Sequence, residues 1–243
     1  MKRLWSSPVR APVPFDPATV RDLPEPARRY LLHSIAPGTT LATAFTLRMR
    51  GQIKLKHAWC AFTARQVTRS PQGFVWRARV TMKGLPVFGS DRWIDGQGSM
   101  AWRLLGLFPL VNAGGADISR SAWGRMQGEM VLLPTALLAA DVKWASSADD
   151  HVRVQFENGG YPAALDLQIN AQGALVSLAY ERWGNPEGGA FGSHAYGGVF
   201  DAEGTFQGVT IPTHMHIGWN YRPDRKRDEW EGFRATIEHM EYK

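Results

Sequence analysis

The sequence lacks several features that would narrow its function. Its 243 residues hold a single cysteine, Cys60. That excludes an internal disulfide framework and any cysteine-rich metal site. No apolar run approaches the roughly 18 residues that a membrane-spanning helix needs. The opening "MKRLWSSPVRAPVPFDPATV" is basic but has no apolar stretch of the kind that marks a secretory signal. With no signal peptide or transmembrane segment, the expected compartment is the cytoplasm, and peripheral membrane association is compatible with it.

Acidic residues are absent from Pro26 to Ser90. The same stretch carries eleven positive charges: Arg28, Arg29, Arg48, Arg50, Lys54, Lys56, Arg65, Arg69, Arg77, Arg79 and Lys83. The whole chain is +6, so the remainder is net negative by five. Such asymmetry points to an anionic partner. Also missing are a Gly-x-Ser-x-Gly elbow, a phosphate-binding Gly-Lys-Ser/Thr loop and a dinucleotide fingerprint at a strand–helix junction.

Hydrophobic residues make up 44% and charged residues 21%, the balance of a soluble globular protein. The length suits a single β-rich domain. Ten tryptophans bring large apolar area with a polar N–H, which suits a wide core or a ligand cavity. Prolines from Pro8 onward mark residues 1–22 as an extended N-terminal arm. A single half-barrel domain is expected over 23–243.

Within that domain, 23–35 reads as a short helix ending at Pro37-Gly38. Then period-two patterns begin. Phe45, Leu47 and Met49 alternate with Thr46, Arg48 and Arg50, and Ile53 and Leu55 with Lys54 and Lys56. Phe74, Trp76, Ala78, Val80 and Met82 share one face, against Val75, Arg77, Arg79, Thr81 and Lys83 on the other. Each is a strand with one buried face. Asp95-Gly96 and Asn170 to Gly173 mark hairpin turns. The rhythm breaks at 117–140, where Asp117 and Ser119 suit N-caps and Pro134 divides two short helices. Many short strands with one helical interruption predict a mainly β (α+β) fold: a single large, curved antiparallel sheet plugged by short helices.

Several stretches resemble a bacterial family of uncharacterised proteins, a domain of unknown function: "GEMVLLPTALLA" (128–139), "AYERWGNPEG" (179–188), "FGSHAYGGVF" (191–200), "GTFQGVTIPTHMHIGW" (204–219) and "EGFRATI" (231–237). "GFVWRARVTMKGLPVFGSDRW" (73–93) and "GSMAWRLLGLFPL" (98–110) fit the same resemblance. It implies the fold of outer-membrane lipoprotein carriers, an open antiparallel half-barrel with helices plugging the concave side. That fold holds acyl chains in the carriers and serves catalysis elsewhere. The resemblance implies no reaction and no catalytic residue, and the step from fold to function is analogy alone.

Candidate site residues follow from position. His214 and His216 share one face of a strand at 211–219, opposite Ile211, Met215, Ile217 and Trp219. A metal site needs a third ligand, and "IGWNY" supplies none. Solvated or structural histidines are therefore expected, and no cofactor or metal. In "ERWG", Arg182 beside Trp183 suits a stacked guanidinium that offers its fork to a carboxylate or phosphate, or one paired with a nearby acid. Glu129 precedes the apolar "MVLLPTALL". In an apolar cavity its pKa would rise and suit acid–base work, unless Arg125 or Arg182 pairs with it. His194 completes the catalytic candidates.

Arg48, Arg50, Lys54, Lys56, Arg77 and Arg79 line an outer sheet face. They suit an anionic membrane surface, or a solvated exterior that guards against aggregation. The aromatics alternate inward, which argues against nucleic acid. "GGAFGSHAYGG" (188–198) reads as a mobile loop at the cavity rim. Two functions remain. One is binding of a hydrophobic or amphipathic small molecule, possibly lipid, by Trp76, Met82, Trp93, Trp102, Met126, Met130 and Trp183. The other is an enzyme using the same cavity for acid–base or metal-assisted chemistry. A domain with a fully filled interior is the third, plainer reading.

Overall fold

A computed structural model describes residues 1–7, 11–157, 161 and 163–243. Residues 8–10 of the proline-rich arm and Asn158, at the end of an expected strand, lie outside that set. The first strands are β1 (Ala44–Leu55), β2 (Ala58–Arg69), β3 (Gly73–Met82), β4 (Leu85–Ile94), β5 (Gln97–Leu104) and β6 (Phe108–Gly114). The rest are β7 (Val142–Ala148), β8 (His151–Phe156), β9 (Ala163–Ile169), β10 (Leu175–Gly184), β11 (Gly192–Phe206), β12 (Val209–Trp219) and β13 (Phe233–Tyr242). Among the described residues four α-helices accompany them: α1 (Lys2–Ser6), α2 (Glu25–Ser34), α3 (Ala116–Gly128) and α4 (Arg227–Trp230).

All thirteen strands form one sheet in the order β6-β5-β4-β3-β2-β1-β13-β12-β11-β10-β9-β8-β7. The chain starts in the middle of the sheet and meanders to one edge. It then crosses over and meanders back until β13 pairs with β1. Tight turns carry the meanders. Asp95 (φ 48°) and Gly96 (φ 87°) supply the left-handed conformations that a two-residue hairpin needs. The Asn170 side chain accepts from the backbone N–H groups of Gln172 and Ala174.

The crossing between the two edges is the plug. It consists of α3 and two 3₁₀ turns, Glu129–Leu132 and Pro134–Leu138. α3 touches β4 and β5 of one half of the sheet and β9 and β10 of the other. It therefore spans the concave face, where Phe74, Trp76, Val80, Leu165 and Leu167 are buried. The interruption was expected as two short helices; its second part is tighter 3₁₀ backbone, with Pro134 opening the last turn. Neither expected N-cap acts as one. The cap is Gly115, without a side-chain bond. Ser119 donates back to the Gly115 carbonyl, and Asp117 accepts from Trp183 Nε1.

Two further expectations are corrected. The arm is not simply extended: residues 2–6 form α1, and Pro17–Val20 is a 3₁₀ turn. Leu4 packs on Val67 and Val75 at the outer face, and Arg69 Nε donates to the Leu4 carbonyl at 2.6 Å. Burying a leucine this way stabilises the docked arm by about 1.5–3 kcal/mol. The glycine-rich run is not a loop from Gly192 on, because that residue begins β11. Gly197 and Gly198 answer to close backbone approach: a Cβ on Gly198 would lie 1.8 Å from the His216 carbonyl oxygen. Among the described residues, no helix is long and apolar enough to cross a membrane.

Candidate functional site

Between plug and sheet lies a cavity of about 610 Å³. Strand alternation fills its walls with apolar side chains. Ile53, Trp76 and Trp102 face it from one half, and Phe200, Met215 and Ile217 from the other.

One wall is polar. Arg125, in the last turn of α3, lies against the rings of Phe74 and Trp76, 4.8 and 5.1 Å from their centroids. Its Nε donates to Glu129 Oε1 at 2.7 Å, Nη1 to Asp91 Oδ2 at 3.3 Å and Nη2 to Gln66 Oε1 at 3.2 Å. Gln66 Nε2 donates to the other Glu129 oxygen at 2.6 Å, and Trp102 Nε1 donates to Asp91 Oδ1 at 2.9 Å. Burial pushes the Asp91 carboxyl above its ordinary range, although Arg125 and Trp102 pull the other way. Burial disfavours the Arg125 cation, but Glu129 and Asp91 more than offset this and hold its pKa above the ordinary value.

Arg182 reaches the cavity from β10. Its guanidinium stacks on Tyr196 and Trp219, 4.5 and 4.9 Å from their centroids, and Nε donates to the Ser121 carbonyl at 3.3 Å. Among the described residues, no carboxylate forms an ion pair with it. Trp76 Nε1 is buried and has no hydrogen-bond partner among the described residues. The terminal N–H groups of Arg182 are thus the donors this cavity leaves for a ligand.

The residues expected to bind ligand divide. Trp76, Met82 and Trp102 line the cavity. Trp93 instead packs on Trp123, with ring centroids 4.8 Å apart, and Met126 and Met130 lie in the core. Trp183 is held at the start of α3 by Asp117 and stacks with Arg120 at 3.8 Å, not with Arg182. Neighbouring strand residues point apart, so the two side chains of "ERWG" serve different places. Glu129 faces the cavity with both oxygens bonded. His194 borders a separate, open depression with Glu181, Ser193 and Arg222, where its Nε2 is buried without a partner.

Sequence reasoning missed Asp91 and Gln66. The signal was there: Gln66 is in phase with Phe62 and Ala64, and Asp91 with Val87 and Trp93, so both are polar residues on apolar faces. On the outer face Arg48, Arg77 and Arg79 are exposed. Arg65 stands in register between Arg48 and Arg77, completing a row of like charges. Arg50 pairs with Glu238 at 3.0 Å, and Lys54 sits 5.9 Å from the Trp59 ring. His214 and His216 are also on the outer face, with Asp201 as a neighbour that chain spacing did not reveal.

A model of a family of unknown function (DUF6544) matches residues 13–232. No curated protein matches the sequence. Among solved structures, a putative outer membrane lipoprotein-sorting protein domain from Vibrio parahaemolyticus is similar over 82% of this chain and 85% of its own. Its identity is 8% and its TM-score 0.44. A LolA superfamily protein from Nitrosomonas europaea is similar over 90% of this chain and 92% of its own, with 9% identity and a TM-score of 0.47.

Proposed function

The chain belongs to the DUF6544 family of unknown function, and from its geometry we propose that it binds an amphipathic small molecule, an apolar chain with an anionic head, in the concave cavity. The observation that carries this reading is the pairing of a largely apolar cavity of about 610 Å³ with the Arg182 guanidinium, whose Nε alone is bonded, to the Ser121 carbonyl. A volume of that order suits a small-molecule site with a few convergent polar groups. The apolar walls take the chain, and the Arg182 fork takes the head. Glu129 has both oxygens engaged by Arg125 and Gln66, which supports binding over acid–base chemistry.

The exchange route is a lipid surface met at the hairpin tips. The β1–β2, β3–β4 and β5–β6 turns lie at one end of adjacent strands. They expose Leu85, Leu105, Leu107 and Phe108, with Leu107 70% exposed. Lys56 and Lys83 sit in the same turns, a pairing of apolar and basic groups that suits an anionic interface. Leu55 and Met82, at the ends of β1 and β3, also line the cavity, so the tips adjoin its mouth.

The test is calorimetric titration of delipidated full-length protein with oleate and with oleyl alcohol. The acid is expected to bind about tenfold or more tightly than the alcohol, one charge-assisted contact being of that order. Arg182→Ala should erase the difference. Failure of both ligands to bind overturns the proposal.

A further inference from the structure

On the outer face of the same strands, ligating side chains converge for which the cavity has no use. We propose that Asp201, His214 and His216 bind a divalent first-row transition metal, with Glu231 as the outer carboxylate that orients His216. This site stands independently of the cavity, because alternation sends Met215 and Ile217 inward and the two histidines outward.

The third ligand comes from a β-bulge. Phe200 pairs with Met215 and Ala202 with His214, so Asp201 is the extra residue of β11. A bulge re-aims the side chain it inserts. Here the Asp201 carboxylate falls between the two rings, Oδ2 lying 2.9 Å from His216 Nε2 and 3.4 Å from His214 Nδ1. The ligand atoms of all three residues lie within 4.8 Å of one another. Ligands held about 2.0–2.2 Å from one ion stand about 3–3.5 Å apart; the two Asp201 distances already fall near that range, and the widest pair must close by about 1–2 Å.

A strap brings the fourth group. Residues 230–232 cross directly over Gly218, where a Cβ would lie 1.7 Å from the Trp230 carbonyl oxygen. The Gly232 N–H donates to the Ile217 carbonyl at 3.1 Å. This sets Glu231 Oε1 2.5 Å from His216 Nδ1. With Nδ1–H given to Glu231, the Nε2 lone pair points at Asp201 and His214, the arrangement in which a carboxylate orients a metal-bound imidazole.

Charge argues the same way. The Glu231 side chain is only 8% exposed, and a buried carboxylate needs a cation close by. Arg234, in register with His216 on β13, does not supply one. It bonds to Gln52 and lies 4.4 Å from the Trp59 ring centroid. Two carboxylates and two neutral imidazoles carry a charge of −2, which a divalent ion cancels. The His214 and Asp201 side chains are 38% and 41% exposed, leaving the outer side open to water as further ligand. Two imidazoles and one carboxylate with open positions suit zinc or ferrous iron.

The experiment is calorimetric titration of metal-stripped full-length protein with zinc chloride, repeated with cobalt(II) read by its visible absorption. One saturable equivalent is expected. Asp201→Asn, at an exposed position, and His214→Ala, at a half-buried one, should weaken binding at least 100-fold while circular dichroism shows the fold intact. Glu231→Gln, which still accepts from Nδ1–H, should weaken it about 10- to 100-fold. His57→Ala and His239→Ala, on exposed histidines elsewhere, should leave it unchanged. Absence of saturable binding in the native protein overturns the site. So does binding that survives Asp201→Asn and His214→Ala. In either case Asp201 and Glu231 serve His216 only as hydrogen-bond partners.

Discussion

Arg125 lies one helical turn from Glu129, Nε to Oε1 at 2.7 Å, and the same guanidinium reaches Asp91 on β4 at 3.3 Å. One cation thus ties the plug to the sheet beneath it. Removing it leaves two carboxylates facing each other in a largely dry wall. Arg125→Met is expected to lower unfolding stability by about 3–5 kcal/mol, the cost of breaking a buried pair from one side. Glu129→Gln keeps an acceptor for Arg125 and should cost about 1–3 kcal/mol. Urea unfolding followed by tryptophan fluorescence measures both.

Asp91 also sets a pH dependence. Burial raises its carboxyl, against the pull of Arg125 and Trp102, so the folded chain holds that proton more tightly than the unfolded one. Its stabilising contribution is complete below the ordinary aspartate value of about 3.9 and declines as pH rises through the raised one. The stability of native protein minus that of Asp91→Asn should therefore fall as pH climbs through the mildly acidic range. Urea midpoints at several pH values give this slope, and a flat or rising difference contradicts it.

Filling the cavity should remove binding without unfolding the protein. Ile217, half-buried on β12, faces the cavity. Ile217→Trp is expected to cost at most about 1–3 kcal/mol through overpacking. Oleate affinity should drop at least tenfold by calorimetry. Unchanged affinity would place the ligand elsewhere.

At the hairpin tips the two effects separate the other way. Leu107 and Phe108 are 70% and 59% exposed, so Leu107→Asp with Phe108→Asp should shift stability by no more than about 1 kcal/mol, two surface substitutions of about 0.5 kcal/mol each. Co-sedimentation with vesicles rich in phosphatidylserine should be lost. Retained co-sedimentation would move the lipid contact to the arginine row of the outer face.

The fold was legible where side-chain period and burial agree. On β3 the alternation of Phe74, Trp76, Ala78 and Val80 with Arg77 and Arg79 predicts the strand and its inner face, and both are observed. It failed where the backbone departs from a regular ladder. The glycines of 192–198 look like a loop because glycine marks turns, yet Gly197 and Gly198 admit neighbouring backbone. The cavity was only partly legible: Trp76 and Trp102 line it, while Trp93, equally apolar, lies under α3. Alternation tells which face a residue is on, not what covers that face.

The sequence by itself determined the class of the protein. Period-two hydrophobicity, turn residues and one helical interruption admit little besides a large antiparallel sheet with a plug, since each strand must bury one face. Tertiary structure decided the sites. Arg125 meets Asp91 and Gln66 across 34 and 59 residues of chain, and Asp201 meets His216 across 15. Those meetings depend on strand register and on a single-residue bulge, which arise when the whole sheet settles its pairing.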